Sequence, residues 1–311
     1  MSPFIRASGI SLVALLSLGG CKSLAIGAVA DALSGTGGAF AEDDDPELVE
    51  AAIPFGLKTM ESVIVQTPEH RGLLLALCSG FVQYGEAFVH MPAERIQTTD
   101  FARAEADLLR ARKLFLRARR YGLRGLSVGR DGFEERLRKD PATALPALEV
   151  EDAPLLYWTA AAWGLAISTS KSDLDLVADL PIVTAMADRL LALDPKFGEG
   201  TAYELLMSLE TSRPGGDLKK ARAYFQLALE LSRGERAGPF VSFAEAVTVK
   251  EQNVKEFKEL LGKALAIDPD KVPAQRLANL LMQRRARWLL SRTSDLFLDS
   301  GDEPVEGEAS P

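Results

Sequence analysis

The chain has 311 residues, 47% hydrophobic and 26% charged, with a formal net charge of −8. That composition suits a globular protein with a sizeable core. The acidic balance argues against a general affinity for nucleic acid or anionic headgroups, and two cysteines are too few for a disulfide framework.

Residues 1–20 read as a secretory signal. Arg6 is their only charge, and the apolar stretch from Ile10 to Leu18 is too short to remain as a bilayer span. Leu18-Gly19-Gly20-Cys21 then has the form of a bacterial lipobox. Small residues let an extended backbone enter a peptidase site, and the Cys21 thiol accepts a diacylglyceryl group. Two or more acyl chains give stable anchoring, so lipidation is expected at Cys21. Lys22, where an aspartate would favour inner-membrane retention, points to the outer rather than the inner membrane. Residues 21–45 read as a lipidated tether with a short docking helix, because Gly27, Gly35, Gly37 and Gly38 interrupt its apolar run and Glu42-Asp43-Asp44-Asp45 follow. The second cysteine, Cys78, sits in the apolar run from Leu73 and is expected to be a buried, unreactive thiol.

The body, 46–298, has helical apolar spacing throughout and no strand-like alternation. Helices are expected near 47–66, 70–90, 100–125, 153–169, 180–193, 198–211, 217–232, 238–249 and 253–267, with a closing helix near 273–297. The stretch from Ser127 to Ala153 reads as an insertion with a short helix around Phe133 to Lys139. The tail, 299–311, is acidic and rich in proline and glycine, so disorder is expected there.

The helices carry a degenerate pair repeat. Leu190-Leu191-Ala192-Leu193-Asp194-Pro195 matches Ala264-Leu265-Ala266-Ile267-Asp268-Pro269. Ala221, Phe225 and Ala228 have the spacing of the second helix of a tetratricopeptide repeat (TPR). First helices follow a large-x2-apolar-small-x2-large pattern, at Phe81-x2-Tyr84-Gly85-x2-Phe88, Trp158-x2-Ala161-Ala162-x2-Leu165 and Phe240-x2-Phe243-Ala244-x2-Val247; Ala202-x2-Leu205-Leu206-x2-Leu209 fits less well. The fold class expected is all-α, with TPR-like helix pairs stacked into a curved solenoid.

No HExxH, CxxC, GxSxG or phosphate-binding loop is present, so neither catalysis nor a cofactor is expected. The only histidines are His70 and His90, and Glu86 with His90 reads as a helical pair rather than a metal site. One helix is strongly basic, through Arg103, Arg110, Arg112, Lys113, Arg117, Arg119, Arg120 and Arg124. It reads as a solvated face, with docking of an acidic protein as the alternative. Phe81, Tyr84 and Phe88 on one first helix, and Tyr157 and Trp158 on another, are the candidates for lining a ligand site or channel, although most such aromatics are core.

The run from Asp44 to Glu61, with His70-Arg71-Gly72-Leu73-Leu74, Pro154 to Gly164, and Asp179-Leu180-Pro181, resembles the TatT family. These are TPR lipoproteins associated with tripartite ATP-independent periplasmic (TRAP) transporters, and the resemblance covers about 25–297. It implies a helical fold, a lipid-anchored place on the periplasmic side of a membrane and no catalytic activity. It further implies a complex with the TRAP substrate-binding (P) subunit, a homotrimer, and a channel through each protomer for an apolar small-molecule ligand. The weak third repeat and the missing aspartate-proline after Leu231 depart from the pattern. The competing reading is a general TPR scaffold in envelope or outer-membrane assembly.

Overall fold

The computed structural model describes residues 18–299 except 36, 171 and 214, and gives only the backbone for 18–25. The secretory signal before residue 18, the Cys21 side chain and the tail from residue 300 lie outside this description. Among the described residues every regular element is helical.

The described residues begin with α1 (Leu18–Ser34) and α2 (Gly37–Ala41). The expected tether is thus helical, and from Ile26 onward it packs on the body. Ala30 is fully buried, and Asp31 lies 3.0 Å from His70. Helix α3 (Pro46–Ile64) starts on an Asp45 cap, with Pro46 in the first turn where a missing N–H costs nothing.

The first pair joins α4 (Arg71–Gly85) to α6 (Phe101–Ser127), but α4 does not stop where proline would suggest. A π-helical turn, Glu86–His90, carries it into α5 (Met91–Ile96). Met91 N–H reaches five residues back to Glu86 C=O, and the wide turn lets the helix continue past Pro92, which has no N–H. The combined 26-residue helix, Arg71–Ile96, is apolar enough to cross a membrane. Its apolarity is that of a core element, since Leu73, Leu74, Leu77 and Cys78 are fully buried. Burial pushes the Cys78 thiol up to about 12, which removes its nucleophilic form at neutral pH.

The expected insertion contains α7 (Phe133–Lys139) and α8 (Pro141–Ala144). Then come α9 (Ala153–Ser168), the short α10 (Leu174–Ala178) and α11 (Leu180–Leu193). The third pair is α12 (Thr201–Ser212) with α13 (Leu218–Ser232). The fourth is α14 (Ala237–Phe243), extended by a second π turn, Ala244–Thr248, with α15 (Val254–Leu265). Helix α16 (Arg276–Ser291) and a short turn, α17 (Thr293–Leu296), are the last elements among the described residues.

Small residues set the closest helix approaches. A Cβ on Gly122 would lie 2.1 Å from Thr159 Oγ1 and 2.9 Å from Cys78 Sγ, and one on Gly125 would lie 2.6 Å from Leu155. Glycine at these two sites lets α6 press against α4 and α9 at once. The pairs stack in sequence order, with α4 beside α9, α9 beside α12 and α12 beside α14. Helix α16 touches α14 and α15 on one side and α3 on the other, so the two ends of the stack meet.

The interior forms two apolar clusters. The larger runs from Ala30 to Leu209, and the smaller gathers residues of α12 to α16 together with Phe297. Their border passes through α12, where Leu206 and Leu209 belong to the first and Met207 to the second.

Candidate functional site

The first helices form one wall of the stack, and the five aromatic candidates lie on two of them. The structure does not bring all five into one pocket. Phe81 and Tyr84 are buried against α6. The Phe81 ring stacks on Tyr121 at 6.0 Å with Arg117 over it, and the Tyr84 hydroxyl accepts a 3.1 Å hydrogen bond from Arg110. Phe88, inside the π turn, borders a cleft of about 50 Å³ that it shares with Met91, Arg95, Leu281 and Trp288. On α9, Tyr157 and Trp158 are half-buried and meet edge to face at 4.9 Å, with Phe197 at 5.2 Å from Tyr157. Burial and the nearby Glu204 carboxylate push the Tyr157 hydroxyl up to about 12, so it stays a neutral donor.

The basic helix is engaged mainly within the fold. Arg112 pairs with Asp173, Arg117 lies 3.7 Å from Glu61, Arg119 lies 3.7 Å from Asp179, and Arg124 donates to Pro68 C=O. Only part of its charge, including that of the exposed Lys113 and Arg120, is turned outward.

A charged cluster sits where the ends of the stack meet. Arg285 of α16 donates to both Glu245 oxygens, at 2.8 and 2.5 Å, and to Glu94 at 2.8 Å. Its side chain is 11% exposed, and the two carboxylates overcome the burial that disfavours its charge. Glu86 Oε2 lies 3.0 Å from His90 Nδ1, a close ion pair whose angle falls short of a hydrogen bond. Burial works against the Glu86 carboxylate, but His90 and then Arg285 outweigh it and hold its pKa below the ordinary value.

Burial also works against charge on His90. Glu86 and then Glu94 outweigh it, so the imidazole pKa is raised above 6.5, with Arg285 opposing. A raised folded-state pKa contributes stability that is fully present below 6.5 and lost as pH rises through the folded value. His90→Gln should therefore lower Tm more at mildly acidic pH than at pH about 8.5. Thermal melts of the two proteins at both pH values check this. An equal loss at both would contradict the raised pKa.

Sequence reasoning missed Arg285, Glu94, Glu245 and Trp288. A signal for one of them was present, because Glu86 and Glu245 hold the same place in the first-helix pattern, immediately after Gly85 and Ala244. Both lie in the π turns, at repeat-equivalent positions.

Comparison with known proteins settles the family. The family model for the TRAP transporter T-component (TAtT) matches residues 42–297, the span from the end of α2 through α17. The chain belongs to this family. A protein of Treponema pallidum (strain Nichols), itself uncharacterized, is 32% identical over 271 residues, covering 84% of this chain and 83% of its own. Membership associates the chain with TRAP transport and with a membrane-associated place in the envelope, and the family is one of transporter components rather than a known enzyme family.

Proposed function

We propose that this chain is a noncatalytic, lipid-anchored T-component that docks a periplasmic TRAP substrate-binding subunit and assists uptake or transfer of a small, apolar organic ligand. The observation that carries the reading is the family match over 42–297, which spans the whole stack and its closing helix. Half-buried Tyr157 and Trp158, and Phe88 at the cleft, supply apolar surface on the first-helix wall for such a ligand. Phe81 and Tyr84 support that wall from behind, against α6.

Lipid on Cys21 holds the body beside the membrane, on its periplasmic side, where a diffusing binding protein meets it. The outer membrane is the preferred location, following Lys22, and the family resemblance supports a homotrimer. Globomycin should make unprocessed protein accumulate in expressing cells, and unchanged processing would remove the anchor from the account. Affinity capture of the tagged chain from native envelopes should recover a solute-binding protein. Its absence, with the transport genes expressed, would count against docking.

A further inference from the structure

Helix α16 is held on its two sides by different chemistry. Toward the C-terminal cluster it buries Ala286 and Leu289 almost completely, with Met282 and Leu290 packed beside them. Toward the N-terminal cluster it offers the partly buried Leu277 and Leu281, with Trp288 at the cleft beside Phe88 and Met91. The rest of that seam is polar. Arg285 reaches Glu94, Arg284 makes a two-pronged bond to Glu47 at 2.6 and 3.0 Å, and Arg276 donates to Glu42 C=O at 2.7 Å. The partners are 191, 237 and 234 residues away in sequence, so these bonds close the stack end to end.

The two sides differ in strength. Apolar burial of α16 against α14 and α15 scales with the area removed from water. Ion pairs with an exposed member contribute little, and the Glu47 side chain is 68% exposed. The Arg284–Glu47 pair is therefore the weaker join. The two halves join through α12, which contributes to both clusters, and through Tyr224, which packs against both, so a relative movement would pivot there. The charges do not read as an anion site. Glu47, Glu50, Glu86, Glu94 and Glu245 outnumber the guanidiniums of Arg95, Arg284 and Arg285.

We propose that α16 is an ionic latch. It moves with the C-terminal cluster and opens the seam against α3 and α5, exposing the apolar flank of Phe88, Met91, Leu281 and Trp288 between the two halves. The Arg285–Glu245 bonds lie on the moving side and stay intact. The Arg285–Glu94, Arg284–Glu47 and Arg276–Glu42 bonds lie across the seam and break. The opening is lateral, so apolar groups enter from the side of the stack. This inference concerns the mechanics of the chain and stands apart from the transport reading.

Hydrogen exchange by mass spectrometry on the full chain in detergent tests it. The double variant Glu47→Gln/Glu94→Gln should exchange faster in the first turns of α3, in Met91–Ile96 and along the seam flank of α16. Exchange in α9 and α15 should be unchanged. Glu245→Gln should leave the seam amides as protected as in the unaltered chain, because all three cross-seam bonds remain. Three results would overturn the latch: seam amides unchanged in the double variant, exchange raised equally along the whole chain, or Glu245→Gln loosening the seam as much as the double variant.

Discussion

Trp163→Ala is expected to lower the unfolding free energy by about 3–5 kcal/mol, the range for truncating a large buried aromatic. Trp163 is fully buried, and its Nε1 donates a 3.1 Å hydrogen bond to Asp179. Arg119 from α6 and Arg138 from α7 lie over the ring at 4.8 and 4.9 Å, and both approach the same Asp179 carboxylate. One indole therefore joins α6, α7, α9 and the start of α11. The substitution leaves a cavity, removes two cation–π contacts and takes a donor from Asp179. Trp163→Phe keeps most of the volume and loses the N–H, so it should cost less. Urea titration of the two variants checks the order. A cost below about 1 kcal/mol for alanine would mean that the site collapses around the gap.

Asp152→Ala is expected to cost about 3 kcal/mol, the lower end for removing one member of a buried ion pair. Its side chain is 1% exposed. It pairs with Arg71 at the start of α4 and with Arg130, at 2.6 Å, where the insertion begins. It also accepts from Glu149 N–H at 2.9 Å. Burial works against its carboxylate, but that backbone bond and the arginines outweigh it and hold its pKa below 3.8. A depressed folded pKa contributes stability that is present above 3.8 and is lost as pH falls through the folded value. The gap between the unaltered chain and Asp152→Ala should thus close under strong acid. Denaturant titration at pH about 6 and pH about 3 measures both sides. A gap that persists unchanged at low pH would assign the loss to packing rather than charge.

Both residues show what the sequence made legible. Several helix starts were readable because they have a local chemical cause. Asp45, Asp100, Asp217 and Asn253 cap expected helices through side-chain oxygens on backbone N–H groups, whereas the short α10, capped by Asp173, was not placed from the sequence. The short helix in the insertion was readable as well, and spans Phe133–Lys139. Its anchorage was not, because the clamps at Trp163 and Asp152 join residues up to 81 positions apart.

The π turns were hidden for a different reason. One extra residue in a turn leaves the apolar spacing within a short window nearly unchanged, and Pro92 reads locally as a stop. That turn also separates the aromatic set. Phe81 and Tyr84 precede it and face α6, whereas Phe88 lies within it and borders the seam cleft. Periodicity places side chains on one helical face but does not say which neighbour covers it. Helix α1 runs through Gly27, where there is open space and no backbone demand for glycine.

The proposed function rests on docking of a TRAP substrate-binding subunit. Isothermal titration of the purified full chain in detergent, with the substrate-binding subunit from the same organism, tests it most directly. Saturable heat and a complex that survives native mass spectrometry are expected. No heat and no complex at protein concentrations of about 100 μM, with both partners folded, would contradict it.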